Sequence, residues 1–374
     1  MESIDIRNSP LLEHFASLKD PRIERTKRHE LLDILAIAIC GLIGGADNWV
    51  EIEEFGQAKA TWFKQFLSLP NGIPSHDTFN RLFARLNPDA FQECFLNWIR
   101  AVHQATHGEI VAIDGKTLRR SFDRAASKDP LHLVSAWACK NRLVLGQMKT
   151  QEHSNEITAI PQLLRLLDLA GCVVTIDALG TQKPIAQDII TAKADYVLAL
   201  KGNHETAFEE VHTFLDEWAA THPAHQTTEK DHGRIEIRRY WLSEDIRWFQ
   251  DKGLWPGLVS FGMVEAQRTL NGHTQTQRRY YLSSLHTPDL PRFALAVRSH
   301  WSIENTLHWS LDMTFREDDS RLRKDHAPEN LAILRRIALS LLKHESSRKG
   351  GIKVRRLRAA CDNAYLAEIL LQKI

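Results

Sequence analysis

The chain has 374 residues, with 48 basic and 47 acidic side chains and a formal net charge of +1, a length that suggests two or three domains at roughly 100–200 residues each. An apolar fraction of 43% and a charged fraction of 25% are ordinary for a globular protein and exclude wholesale disorder, a collagen-like fibre and a disulfide scaffold. The balanced charge excludes a strongly basic DNA-coating protein, so any nucleic-acid role must rest on local basic patches.

The opening MESIDIRNSPLLEHF has no basic start followed by an apolar core, so no signal peptide is expected. Residues 11–104 read as helices. Leu31 to Ile43 is apolar almost all round. Trp49, Ile52, Phe55, Trp62, Phe63 and Phe66 recur at helical spacing, as do Phe79, Leu82, Phe83 and Leu86. The run Ile34 to Ala46 is shorter than the ~20 residues that span a bilayer, so a buried helix is expected there and no membrane. Ser75-His76-Asp77 offers a cap to the helix that follows. The five scattered cysteines form no CxxC pair, which predicts small buried thiols in a reducing cytoplasm rather than zinc or disulfide sites.

Near residue 109 the pattern changes. Glu109 to Ile113 is a short apolar run ending at Asp114. Leu131 to Cys139 and Arg142 to Lys149 follow, with Lys140-Asn141 as a tight hairpin turn. Asn155 to Leu169 is helical. Cys172 to Ile176 is a β-branched run ending at Asp177, Gln182 to Lys193 is helical, and Tyr196 to Leu200 is a buried strand ending at Lys201. This order, three strands then alternating helix and strand, implies an α/β fold with a mixed sheet and helices on its faces. Residues 203–290 interrupt it with one helix around Glu205 to Trp218. Strands then follow at Arg234 to Trp241, Leu258 to Thr269 and Arg278 to Leu282, with an Asn271-Gly272 turn. Helical spacing returns from Pro291 to about Lys343, and 348–358 is a basic tail.

Two strands stop on aspartates in matching contexts, Ile113-Asp114-Gly115 and Ile176-Asp177-Ala178. Either one alone reads equally as a turn or cap residue. As a pair on neighbouring strands they would stand at the C-terminal rim of the sheet and repel each other unless a cation sits between them. Magnesium suits such a place, because it takes few carboxylates, several waters and phosphate oxygens. His300, Glu304 and His308 are four apart, so they share a helix face that Asp312 extends, and the face offers a third acidic group. An exposed polar stripe is the plain alternative, and zinc is a weaker one, because the spacing is not HExxH. Gly115-Lys116-Thr117 is not a P-loop, since Ile110 stands where the earlier glycine belongs. No GxGxxG follows a strand and no GxSxG appears, so neither a nucleotide cofactor nor serine-hydrolase chemistry is expected.

The segments VAIDGKTLRRSFD, VTIDALGTQKPIA, YVLALKGNH, DHGRIEIRRYW and HWSIENTLHWSLDMTFREDDSRLRKDHAPENLAILRRIAL together resemble the ISAs-type insertion-sequence transposases, or H repeat-associated proteins. The stretch from Pro10 to Gly56 resembles their associated N-terminal domain. The resemblance implies a ribonuclease H-like mixed sheet with flanking helices. A helical, DNA-binding domain at 1–105 would precede a catalytic domain at 106–374, with a β-rich insertion at 203–290 and a basic C-terminal tail at 348–374. It places a DDE triad on Asp114, Asp177 and Glu304. These would hold two Mg²⁺ ions, with Mn²⁺ as a substitute, for cleavage at element ends and transfer of the 3′-hydroxyl into target DNA. It implies terminal inverted repeats and target DNA as partners, a homodimer in the DNA complex, and a cytoplasmic, nucleoid-associated protein. The wider superfamily's tyrosine, arginine and lysine around the glutamate fall here on Val297, His300 and Leu311, which leaves Arg298, His300 and His308 as substitutes. Lys116, Arg119, Lys201, Arg298 and Arg321 flank the strand ends and the helix, where they could neutralise phosphates. Ser75 to Leu86 could serve as a recognition helix offering Arg81 and Arg85, and Arg348 to Arg358 is a second candidate for backbone contact. A stand-alone nuclease of this fold, an inactive DNA-binding relic and a magnesium-dependent phosphatase remain the alternatives.

Overall fold

The computed structural model describes Ile6 and residues 9–102, 108–122, 129–150, 155–231, 234–270 and 273–372. Its N-terminal part is helical, as the spacing predicts: α1 (Pro10–Glu13), α2 (Leu31–Ile43), α3 (Trp49–Ala58), α4 (Ala60–Phe63), α5 (His76–Arg85) and α6 (Pro88–Val102). Asn48 caps α3 by accepting from the Glu51 N–H at 3.0 Å. Ser75 stands at the cap position of α5, but its hydroxyl meets that of Thr78 at 3.2 Å rather than a backbone N–H. Every residue of α2 except Leu32 is buried, the condition under which a helix that is apolar all round is stable.

A nine-stranded sheet follows: β1 (Ile110–Thr117), β2 (His132–Ala138), β3 (Leu143–Lys149), β4 (Val173–Ile176), β5 (Asp195–Leu200), β6 (His225–Asp231), β7 (Arg234–Ser243), β8 (Ser260–Leu270) and β9 (His273–Ser283). Its spatial order is β3-β2-β1-β4-β5-β9-β8-β7-β6. β1 is antiparallel to β2 and parallel to β4, and β4 is parallel to β5, the mixed pattern expected from the element order. The hairpin between β2 and β3 turns through four residues, Cys139 to Arg142, with Arg142 at φ 53, not through the two-residue turn expected. Glu109 holds this wider turn, accepting from the Lys140 N–H at 2.8 Å and from the Asn141 side chain at 2.9 Å. α7 (Glu156–Leu166) and α8 (Lys183–Thr191) make the crossovers between β3, β4 and β5. Alternate strand residues feed two cores. Val111, Val174 and Leu198 join the larger one, whereas Ile110, Val173 and Val197 pack with Phe293, Ala296 and Val297.

Residues 203–290 contribute α9 (Glu205–Thr221) and widen the same sheet, because β9 lies antiparallel to β5 and the remaining strands follow outward. β6 is an element that the pattern did not predict. Its sequence HQTTEKD carries no apolar residue, and it belongs to the sheet only as a polar edge on β7. The expected Asn271-Gly272 turn lies outside the described residues.

The C-terminal helical stretch is interrupted. α10 (Leu290–Ser302) passes into a π-helical segment, Ile303–His308, then α11 (Trp309–Met313), and α12 (Ala327–His344) starts only after a loop. In that loop Arg316 and Asp325 take left-handed backbone, at φ 49 and 46. α12 packs on α2, α5 and α6. Its Asn330 donates to the carbonyls of Phe83 and Leu86 at 2.7 and 3.0 Å, so the end of the chain completes the N-terminal core. Much of the expected basic tail is α13 (Ile352–Cys361), followed by α14 (Asn363–Leu371). Arg356 is buried there. It pairs with Asp47 at 2.8 Å and donates to the carbonyls of Leu42, Ala46 and Thr314. It thus satisfies carbonyls at the end of α2 instead of a phosphate.

Candidate active site

Register brings the two aspartates together. Ile113 pairs with Ile176 across the parallel β1–β4 ladder, so Asp114 and Asp177, one step further along each chain, stand side by side. Asp114 does not end its strand as expected: β1 runs on to Thr117 because Gly115, Lys116 and Thr117 stay paired with β2, and Asp114 stands opposite Ser135. Asp177 begins the loop after β4, and its Oδ1 accepts from the Leu179 and Gly180 N–H groups at 3.1 and 3.2 Å. α10 crosses β1 and β4 and is anchored by Trp137, whose Nε1 donates to Ser302 at 3.2 Å. Glu304 follows in the π segment, a rare geometry that concentrates at functional sites. Asp114, Asp177 and Glu304 all line one cavity of about 370 Å³. Sequence spacing places a glutamate on a helix near residue 304, but it does not reveal the change of helical pitch that carries it.

Burial, and then the charges of Glu156, Asp177 and Glu304, push the Asp114 carboxyl up to about 7. Glu156 is the group that sequence reasoning missed. It opens α7 beside the Asn155 cap and accepts or shares a proton with His132 Nε2 at 2.9 Å, while His132 Nδ1 meets the Thr117 hydroxyl at 2.7 Å. A Cβ on Gly115 would lie 1.9 Å from Glu156 Oε1 and 2.6 Å from His132 Nε2, so only glycine lets this carboxylate come so close to β1. The signal for it was that glycine, directly after Asp114.

The residues are hard oxygen donors, and they suit a magnesium-type ion that keeps several waters. Among the described residues no three His, Cys, Asp or Glu side chains are gathered closely enough to hold a metal ion as they stand; the three acids line a common cavity. His300 and Lys201 line it too. His300 Nδ1 lies 3.0 Å from the Thr175 hydroxyl, and burial, the leading effect, takes its imidazole down to about 4. His308 Nδ1 is 3.5 Å from Asp114, and burial followed by Arg336 and Lys116 takes that ring down to about 3. Both rings are therefore neutral near pH 7, and neither supplies the positive charge expected of a phosphate clamp. Lys201, Arg278 and Arg279 line the cavity as well; Lys201 and Arg278 are exposed, and Arg278 is paired with Glu265 at 2.8 Å and Asp216 at 3.1 Å.

The other expected cations are placed elsewhere. Lys116 is buried and bound to Asp312 at 2.6 Å and Asp318 at 2.8 Å, with Glu317 at 3.9 Å. It is committed to protein carboxylates, and Asp312 serves it instead of extending the Glu304 face. Arg119 is exposed but pairs with Asp318 at 3.2 Å. Arg298 holds Glu229 through two bonds of 3.0 Å. Arg321 is exposed in the loop before α12, and Arg81 and Arg85 are exposed on α5. Cys40, Cys94 and Cys172 are buried as expected of small thiols, whereas Cys139 is half-buried and Cys361 is exposed on α13. No helix among the described residues is long and apolar enough to cross a membrane.

Comparison with known families places this geometry. The transposase DDE domain matches residues 105–341, and the DDE transposase-associated domain matches residues 12–99. The chain belongs to the DDE transposase family. YncI of Escherichia coli O157:H7, provisionally named a transposase, is 41% identical over 96% of this chain and 94% of its own. YhhI of Escherichia coli K12, provisionally named an H repeat-associated transposase, is 39% identical over 96% of this chain and 97% of its own. Among solved structures, the piggyBac transposase synaptic complex with hairpin DNA aligns with a TM-score of 0.45 and 11% identity. That match covers 98% of this chain and 78% of the other, and at this level it adds nothing to the assignment. This transposase is therefore a DNA-acting enzyme, of a family that works with divalent metal ions.

Proposed function

We propose that this transposase cuts DNA at the inverted repeats of its element and joins the freed 3′-hydroxyl to target DNA, with Asp114, Asp177 and Glu304 as its catalytic carboxylates. One observation carries the reading: three acids from distant parts of the chain line one cavity, where burial and neighbouring acids raise the Asp114 carboxyl. Two magnesium ions, or manganese in their place, would supply the charge that activates the attacking oxygen and stabilises the departing one. Asp114 and Asp177 would hold them from the sheet, and Glu304 would complete the set from the π segment. Lys201 neutralises a phosphate at the mouth of the cavity. His300, tied to Thr175, keeps the start of the Glu304 segment on the sheet without adding charge.

In the first step a water oxygen attacks the scissile phosphorus, the P–O3′ bond breaks, and the 3′-oxygen leaves as a hydroxyl. In the second, that hydroxyl attacks a target phosphodiester and displaces its 3′-oxygen, so one bond forms for each bond broken. Arg81 and Arg85 stand exposed on α5 and are offered to the repeat sequence. Two copies of the chain would hold the two element ends. The test is cleavage of a duplex bearing the flanking inverted repeat, with magnesium and with chelator, followed by strand transfer from a pre-cut end. Cleavage without joining would leave a nuclease; neither activity would leave a DNA-binding relic.

A further inference from the structure

We propose that a second cavity, beside the acidic cleft, holds a phosphate of the DNA backbone, an inference that rests on the DNA-cutting role assigned above. The cavity measures about 360 Å³, and Arg142, Lys343, Lys353 and Arg355 line it without any carboxylate. Three separate elements deliver these cations: the β2–β3 turn, the end of α12 and the start of α13. Arg355 is partly satisfied, donating to the Leu342 carbonyl at 2.6 Å and lying 3.7 Å from Glu345. Arg142, Lys343 and Lys353 have no carboxylate partner among the described residues. Converging cations on separate elements repel one another, and an anion in their midst removes that cost.

The Lys343 amine reports the imbalance. Burial, then Arg142 and Arg355, bring it down to about 8. Gly351 caps α13, so the first N–H groups of that ten-residue helix open toward the same space, with the sign that favours an anion. The remaining lining points to a nucleic-acid strand over a free ion. The π segment that sends Glu304 into the acidic cleft presents Asn305 and Thr306 here, and Trp309, 58% exposed, adds a flat apolar surface. A strand whose phosphate sat in this cavity would lie against the π segment that carries Glu304.

Duplex binding, followed by fluorescence anisotropy across a salt series, tests this with the full chain, Arg142→Gln and Arg142→Gln/Lys343→Gln. Arg142 is exposed, so the single variant keeps the fold and guards against a misfolded double variant. The expected result is weaker binding to all sequences alike and a salt slope smaller by about 0.9 for each phosphate no longer neutralised. A second readout is acylation of Lys343 near pH 8 by an amine reagent, scored by peptide mass spectrometry; duplex should protect this lysine. An unchanged slope with unprotected Lys343, while the unaltered chain still binds DNA, would overturn the phosphate pocket alone. Protection by inorganic phosphate but not by duplex would assign the pocket to a free ion and overturn it as well. Failure of the unaltered chain to bind any duplex would remove both readings together.

Discussion

Two charged clusters lie two residues apart on β1, and they are built on opposite plans. The Asp114 carboxyl is raised by burial and by the charges of Glu156, Asp177 and Glu304. Lys116, next but one along the strand, is enclosed by Asp312, Glu317 and Asp318, and Glu317 is paired in turn with Arg336 at 3.0 Å, both side chains fully buried. The second cluster is complete in itself and ties β1, the loop before α12 and α12 together. The first gathers acids that raise the proton affinity of Asp114. A buried ionic network that closes on its own protein atoms does structural work, whereas one left open marks a site for a ligand.

The sharpest way to break this comparison is to remove one acid from each cluster. Asp114→Ala should lower cleavage of an inverted-repeat duplex by on the order of 10²–10³-fold or more while leaving the urea midpoint unchanged or raised, since it relieves repulsion. A protein that still cuts at the wild-type rate would exclude Asp114 from the chemistry. Glu317→Gln should do the reverse in kind, costing about 3–5 kcal/mol in equilibrium unfolding, because it leaves Arg336 buried and unpaired.

The same residue sets a pH dependence. Burial alone would raise the Glu317 carboxyl, but Arg336, Arg335 and Lys116 hold it below its ordinary value of 4.5. Its contribution is present above 4.5 and is lost as pH falls through the lower folded value. Acid unfolding of the Glu317→Gln variant should therefore be less steep in that window than that of the parent. Gly115→Ala probes the seam between the clusters. Its Cβ would displace Glu156 or His132, for a loss of about 1–3 kcal/mol and up to about 10²-fold in cleavage; normal cleavage would show that Glu156 has no part in positioning Asp114. The smallest effect is expected from Arg85→Gln on α5, which should flatten the salt slope of duplex binding by about 0.9 and leave folding untouched.

Much of this was legible in the chain. The apolar runs that end on Asp114 and Asp177 predict two strands and their shared rim, and the 300–308 spacing predicts a helix carrying Glu304. The partners of the cations were not legible. Lys116 follows Asp114 so closely that it reads as a phosphate contact, yet the carboxylates that hold it lie about 200 residues away in sequence. Arg356 reads as part of a basic tail, yet it caps carbonyls at the end of α2. β6 escaped notice because a polar edge strand has no apolar alternation to show.

What the amino-acid order determined by itself was local: which segments bury an apolar face, and which acid follows each apolar run, although β1 continues past Asp114 to Thr117. Tertiary structure alone decided which charges meet. Coulombic balance depends on distance in space and on burial, and neither is written in the spacing of residues along a chain. Only the folded sheet could show that Lys116 is neutralised, that burial drives the imidazoles of His300 and His308 toward the neutral form, and that Asp114 sits among other acids.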